Sequence, residues 1–230
     1  MKTIGLIGGM SWESTQDYYR LINQGIKHSL GGLHSAKIIL NSVDFHIIEK
    51  LQHQGDWPAT AEILIKAALS VQAGGADFIL ICTNTMHKVA AEIEQAIQIP
   101  LVHIADATAE QLASDNIDTV GLLGTRFTME QDFYKGRLEE KFNLKVITPI
   151  TEDREIVHNV IYNELCLGNI ENPSRTQYLR IIQELADQGV QGVILGCTEI
   201  GLLVKQQDTK IKLFDTTAIH AAKAVELAIE

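Results

Sequence analysis

Along this chain, short wholly apolar runs alternate with longer stretches whose apolar residues recur at helical spacing. The runs TIGLIG (3–8), AKIILNSV (36–43), FILI (78–81) and IPLVHI (99–104) read as strands. Between them, a helix is expected from near Ser11 to about Lys27, and a polar helical segment from Asp44 to Gln54, broken at Gly55 and Pro58. Over 59–73, Ile63, Leu64, Ala67, Ala68 and Val71 share one helical face, and Gly74-Gly75 ends that helix. A further helix runs through Ile97. The order then restarts. A helix is predicted at 107–115, a strand and turn at 119–125, a helix at 128–142 and a strand at 144–149. Helices at 152–166 and 174–188 follow, the second with Pro173 at its start, then a strand at 192–195 and a helix from about Glu199. A short strand at 211–214 and an alanine-rich helix at 216–229 complete the pattern.

Strands alternating with helices predict parallel sheets covered on both faces. The restart is an internal repeat. Thr3-Ile4-Gly5-Leu6-Ile7-Gly8 matches Thr119-Val120-Gly121-Leu122-Leu123-Gly124, an offset of 116 residues. The run Gly75 to Ile81 matches Gly189 to Leu195 at an offset of 114, in the same order. The expected fold is therefore α/β: two pseudo-symmetric parallel-sheet domains with the active site in the cleft between them. The first domain is expected to comprise 1–104 with the returning tail 212–230, and the second 105–211.

Composition narrows the functional classes. The 230 residues are 46% hydrophobic and 21% charged, and no apolar run approaches the ~20 residues of a membrane span. The opening MKTIGLIGGMSWES is too short and glycine-interrupted for a signal peptide, so a cytoplasmic location is expected. A formal net charge of −10 argues against a nucleic-acid surface but leaves room for a small anionic substrate held by backbone N–H groups. Cys82, Cys166 and Cys197 form no CxxC pair and read as free thiols. Gly5-x-x-Gly8-Gly9 is neither a dinucleotide fingerprint nor a P-loop. No His/Cys/Asp cluster has zinc spacing and no lysine suggests a pyridoxal Schiff base, so no cofactor is expected.

Chemistry concentrates at two strand ends, CTNTMH (82–87) and GCTEIG (196–201), where open α/β proteins bind ligands. Aligned by the repeat, Thr83 falls opposite Cys197, Asn84 opposite Thr198 and Thr85 opposite Glu199; Cys82 falls opposite Gly196. Period-two alternation turns Cys82 away from Thr83. A helix starting behind Cys197 would lower its thiol pKa through the macrodipole, whereas a free cysteine can also be a small buried hydrophobe. His87 could face the pocket or cap a turn. Glu199 could orient the site or cap a helix start. His103 and Asp106 read as hinge or structural residues.

The segments GLIGGM, TNT (83–85), GLLGT and GCTE (196–199) resemble the aspartate/glutamate racemase family over nearly the whole chain, and SWEST, NTMHK and GCTEIGLL are similar to its broad-range bacterial members. The resemblance implies a cofactor-independent isomerase in which two bases, typically both cysteines, work on opposite faces of an amino acid's α-carbon. It implies Cys197 and Thr83 as the catalytic pair, and Met10, Gln52, Thr83, Asn84, Thr85 and Thr198 as substrate-binding residues. It also implies a homodimer. Backbone N–H groups around Gly9-Met10, Thr83 to Thr85 and Thr198 are the expected donors to the substrate carboxylate.

Two departures stand out. A hydroxyl at Thr83 is a far poorer base than a thiolate. Where the family places basic side chains for a distal carboxylate, this chain has Gln52-His53 and Leu165-Cys166-Leu167, which widens the expected amino-acid range. The alternatives are a same-fold hydantoin racemase, maleate isomerase or arylmalonate-type decarboxylase, and a binding or sensing module that has lost turnover at Thr83.

Overall fold

The computed structural model describes Met1–Glu230 and divides into two compact α/β units, Met1–Ile104 with His220–Glu230, and Ala105–Ile219. In the first unit, strands β1 (Ile4–Gly8), β2 (Ile38–Ser42) and β3 (Phe78–Ile81) form a parallel sheet in the order β2-β1-β3. Its helices are α1 (Trp12–Leu30), α2 (Phe45–Gln54), α3 (Trp57–Ala73) and α4 (Ala90–Ala96). The second unit begins with α5 (Ile104–Ser114) at the junction. Its sheet contains β4 (Thr119–Gly124), β5 (Lys145–Ile147), β6 (Gly192–Gly196) and β7 (Lys212–Asp215), all parallel, in the order β5-β4-β6-β7. Helices α6 (Arg126–Glu130), α7 (Lys135–Phe142), α8 (Thr151–Asn163), α9 (Asn172–Asp187) and α10 (Ile200–Leu203) connect these strands, and α11 (Thr216–Ile229) closes the chain.

The local signals explain the boundaries. Ser11, Asp44 and Asp56 each accept a backbone N–H from the first turn of the helix they precede. Gly55 ends α2 in the left-handed conformation. Both faces of the first sheet are covered. On one side Ile7, Ile79 and Ile81 pack with Leu64, Ala68 and Val71 of α3; on the other Ile4, Leu6 and Leu80 pack with Tyr18, Ile22 and Ile26 of α1. The second cluster is completed by Ala221, Ala224 and Ala228 of α11. Apolar residues on both faces are what make β1, β3 and β6 continuous apolar runs rather than alternating ones.

The sheet registers reproduce the repeat. Ile4 lies beside Phe78 in the first sheet and Val120 beside Gly192 in the second, so both offsets are built into strand pairing. Three expectations change. The run 99–104 forms a single bridge, Ile79 to Leu101, instead of a strand: Pro100 has no N–H to give, and the chain turns into α5 at Ile104. The single helix expected over 128–142 is two, because the chain turns extended at Gln131, and Tyr134 is fully buried between them. The tail does not return at 212. Residues 212–215 pair with β6 in the second sheet, since an apolar strand there completes that edge, and the first unit regains the chain only at His220.

Candidate active site

In the first unit, the carboxyl ends of β1 and β3 are tied together by the opening turn of α1. Ser14 Oγ donates to the Cys82 carbonyl (2.9 Å). Thr15 Oγ1 accepts the Gly9 N–H (2.8 Å) and donates to the Ser11 carbonyl (2.9 Å). Gly9 has φ +91°, and a Cβ there would collide with the Val43 carbonyl oxygen, so only glycine fits this turn. The Gly9 N–H, expected to face a substrate carboxylate, is therefore committed to Thr15. Ser14 and Thr15 escaped the sequence reading; a Ser-Thr pair in the first helical turn after Gly-Gly is the signal that could have found them. Met10 packs its side chain into the core beside Ile7 and Ile48.

Thr83 lies two residues past the end of β3, after Cys82, and is half-buried. Asn84 and Thr85 are buried, and a 3₁₀ turn, Thr85–Val89, starts beside them. His87 Nδ1 lies 2.9 Å from the Thr83 carbonyl. Gln52, at the end of α2, is buried with its amide nitrogen 3.5 Å from Met86 Sδ. Cys82 points into the apolar cluster with Tyr18 and Ile22, and burial alone pushes its thiol far up.

In the second unit, Cys197 follows β6 directly and is buried. Its thiol donates to Glu199 Oε2 (3.0 Å), and the Thr198 hydroxyl donates to the same oxygen (2.6 Å). Glu199 is itself buried. Burial pushes the Cys197 thiol well above its ordinary value, with further upward push from Glu199 and Cys166. This corrects the expected depression: α10 is only four residues long, too short for a helix dipole to offset burial beside a carboxylate. The resting residue is a thiol with a carboxylate acceptor in place. Cys166 sits in the 3₁₀ turn Leu165–Leu167, close enough that its ionised form would push up both Cys197 and the buried Tyr178.

Asp106 forms ion pairs with Arg137 and Lys141. Burial would raise its carboxyl, but the hydrogen bonds from those two side chains hold it below the usual range, a structural role. No group of three or more His, Cys, Asp or Glu side chains is arranged to hold a metal ion. No helix is long and apolar enough to cross a membrane.

A family model described as Asp/Glu/Hydantoin racemase matches residues 7–224. The chain belongs to this racemase family. A crystal structure of a candidate Asp/Glu racemase from Yersinia pestis is 61% identical, with a TM-score of 0.94 and full coverage of both chains. An aspartate racemase homologue from Pyrococcus horikoshii OT3 is 37% identical, again over both whole chains, with a TM-score of 0.86. The broad specificity amino-acid racemase RacX of Bacillus subtilis (strain 168) is 23% identical over 169 residues, 70% of this chain and 69% of that protein. The family is one of racemases, hence isomerases, and its two-domain α/β fold with two parallel sheets is the one described above.

Proposed function

We propose that this racemase is cofactor-independent and inverts the α-carbon of aspartate, glutamate or a wider set of amino acids. The observation that carries the reading is the pair of hydrogen bonds converging on Glu199 from Cys197 and Thr198. Glu199 takes the thiol proton as substrate binds, and the thiolate removes the α-proton. Thr83 returns a proton to the opposite face, directly or through a water; solvent then reprotonates Thr83 and takes the proton that Glu199 holds, which restores the starting state. Because the Thr198 hydroxyl already donates to Glu199, its oxygen suits an ammonium N–H better than a carboxylate. Met10, Gln52, Asn84 and Thr85 are proposed to complete the substrate site, with the peptide N–H groups of 83–85 stabilising charge that develops on the α-carboxylate.

The range beyond aspartate and glutamate is supported by Gln52 and Cys166 standing where cationic side chains are typical of the resemblance, and by the likeness to a broad specificity racemase. A homodimer in the cytoplasm belongs to the same proposal. The second reading, a binding module with little turnover, is favoured by one feature, the hydroxyl of Thr83.

Incubation with L- and D-aspartate and glutamate, then other amino acids, in deuterated water tests both. Deuterium at the α-carbon is expected with the native chain and lost in Cys197→Ala. Full exchange in Cys197→Ala would refute the mechanism; tight binding with no exchange for any amino acid would leave the binding module.

A further inference from the structure

Beside Thr83 lies a group of buried histidines that the proposed proton transfers do not use. His87, His103 and His220 are at most 5% exposed. Buried imidazoles are tolerated when their nitrogens are paired, and the pairing fixes which nitrogen carries the proton. The Ile104 N–H donates to His87 Nε2 (3.2 Å), so that nitrogen is bare. His87 Nδ1 therefore holds the proton and donates it to the Thr83 carbonyl (2.9 Å). The ring is flanked by His103 and His220, with centroids 4.5 and 5.8 Å away. His220 is itself fixed: its Nε2 donates to the Val102 carbonyl (2.8 Å), and its Nδ1 accepts from the Tyr18 hydroxyl (2.8 Å). A flip of the His87 ring would break its bonds to both Thr83 and Ile104.

We propose that His87 is a positioning residue for the Thr83 turn, acting through the Thr83 carbonyl as a donor locked in one tautomer. That carbonyl belongs to the peptide joining Thr83 to Asn84. In a planar trans peptide the N–H points opposite to the C=O, so holding the carbonyl toward His87 aims the Asn84 N–H the other way. The same bond fixes ψ of Thr83 and with it the placement of its side chain relative to the following turn. A mere turn cap would need only the bond to Thr83; the bond from Ile104 and the flanking rings add a constraint on tautomer and orientation. The inference rests on the reading of Thr83 as the second proton-transfer group.

Three variants separate positioning from filling. His87→Phe keeps a ring and loses both bonds. His87→Asn can place an amide nitrogen near the Nδ1 position and keep the donor to Thr83. His87→Gln reaches the Nε2 position and keeps only an acceptor for Ile104. Deuterium exchange at the α-carbon is measured for each, with kcat and KM taken separately and normalised to the folded fraction. His87→Phe is expected to lower kcat about 10- to 100-fold with little change in KM, as a misplaced catalytic group does. His87→Asn is expected to recover most of that loss and His87→Gln little of it. Native kcat in His87→Phe, or equal impairment in the Asn and Gln variants, would overturn the proposal; the second comparison stands even if the Phe variant does not fold. If the native protein exchanges no amino acid, the racemase reading fails and amide hydrogen exchange at 83–85 decides. Protection in the native and Asn forms that is lost in the Gln form supports positioning, and equal protection in all three refutes it.

Discussion

A thiol and a hydroxyl do unequal work on a carbon acid. Enantiomers have equal free energies, so kcat/KM must match in the two directions, and a slow proton return at Thr83 slows both. Thr83→Cys is therefore expected to raise the racemisation rate about 10-fold or more, measured by polarimetry from either enantiomer, since thiols serve better in general acid–base transfer. Cys82, one residue away, behaves differently. Its buried thiol keeps its proton in the folded state, while the unfolded chain loses it above about pH 8.5. The folded state then binds more protons, so stability falls as pH rises past that value, by up to about 1.4 kcal/mol per pH unit for one group. Cys82→Ala is expected to cost about 1–2 kcal/mol near pH 7 through lost packing, to reduce that alkaline slope, and to retain α-proton exchange. Urea titrations at pH 7 and pH 10 would measure both effects. The identity and pairing of Thr83 and Cys197 were legible from the repeat. The ionisation state of Cys197 was not, because it depends on where the Glu199 carboxylate turns and on how little helix follows, neither of which a residue pattern carries.

At the scale of elements, the opening turn of α1 is a joint between two strand ends. Thr15→Val removes the acceptor for the Gly9 N–H inside a buried turn and should cost about 1–3 kcal/mol by chemical denaturation. It should also lower exchange activity, because Gly9 lies beside the turn that Ser14 ties to Cys82. Strands and long helices were readable from periodicity, since a sheet covered on both faces writes itself as wholly apolar runs. The misreadings share a cause: edge pairing is decided by partners distant in sequence. IPLVHI and IKLF are both short and apolar, yet Pro100 limits the first to one bridge while the second finds β6 and extends it.

For the whole molecule, the proposed chemistry needs only side chains and backbone. Prolonged dialysis against a chelator, and treatment with a carbonyl reagent such as hydroxylamine, are expected to leave α-proton exchange unchanged; loss of activity restored by a metal or pyridoxal phosphate would overturn cofactor independence. His220 makes the acid limb of stability a property of the fold. Burial is the main cause that lowers its pKa to about 3, and a proton on the neighbouring His87 would push the same way. The unfolded chain takes up a proton below about pH 6.5 that the folded one refuses, so stability is complete above that value and declines as pH falls toward 3. His220→Phe is expected to flatten the decline between pH 6.5 and 4.5, read from urea midpoints, whatever it costs at neutral pH through the orphaned Tyr18 hydroxyl.

The helix that carries His220 begins in one unit and ends in the other. This sets an order of events on the ribosome. Residues 1–104 are synthesised first, yet Tyr18, Ile22 and Ile26 must wait for Ala221, Ala224 and Ala228 before their cluster closes. Residues 105–219 form an uninterrupted stretch that is finished while the earlier unit still has an apolar face open. Between the synthesis of α1 and that of α11 this apolar face stays uncovered, a window in which holdase chaperones would find a binding site.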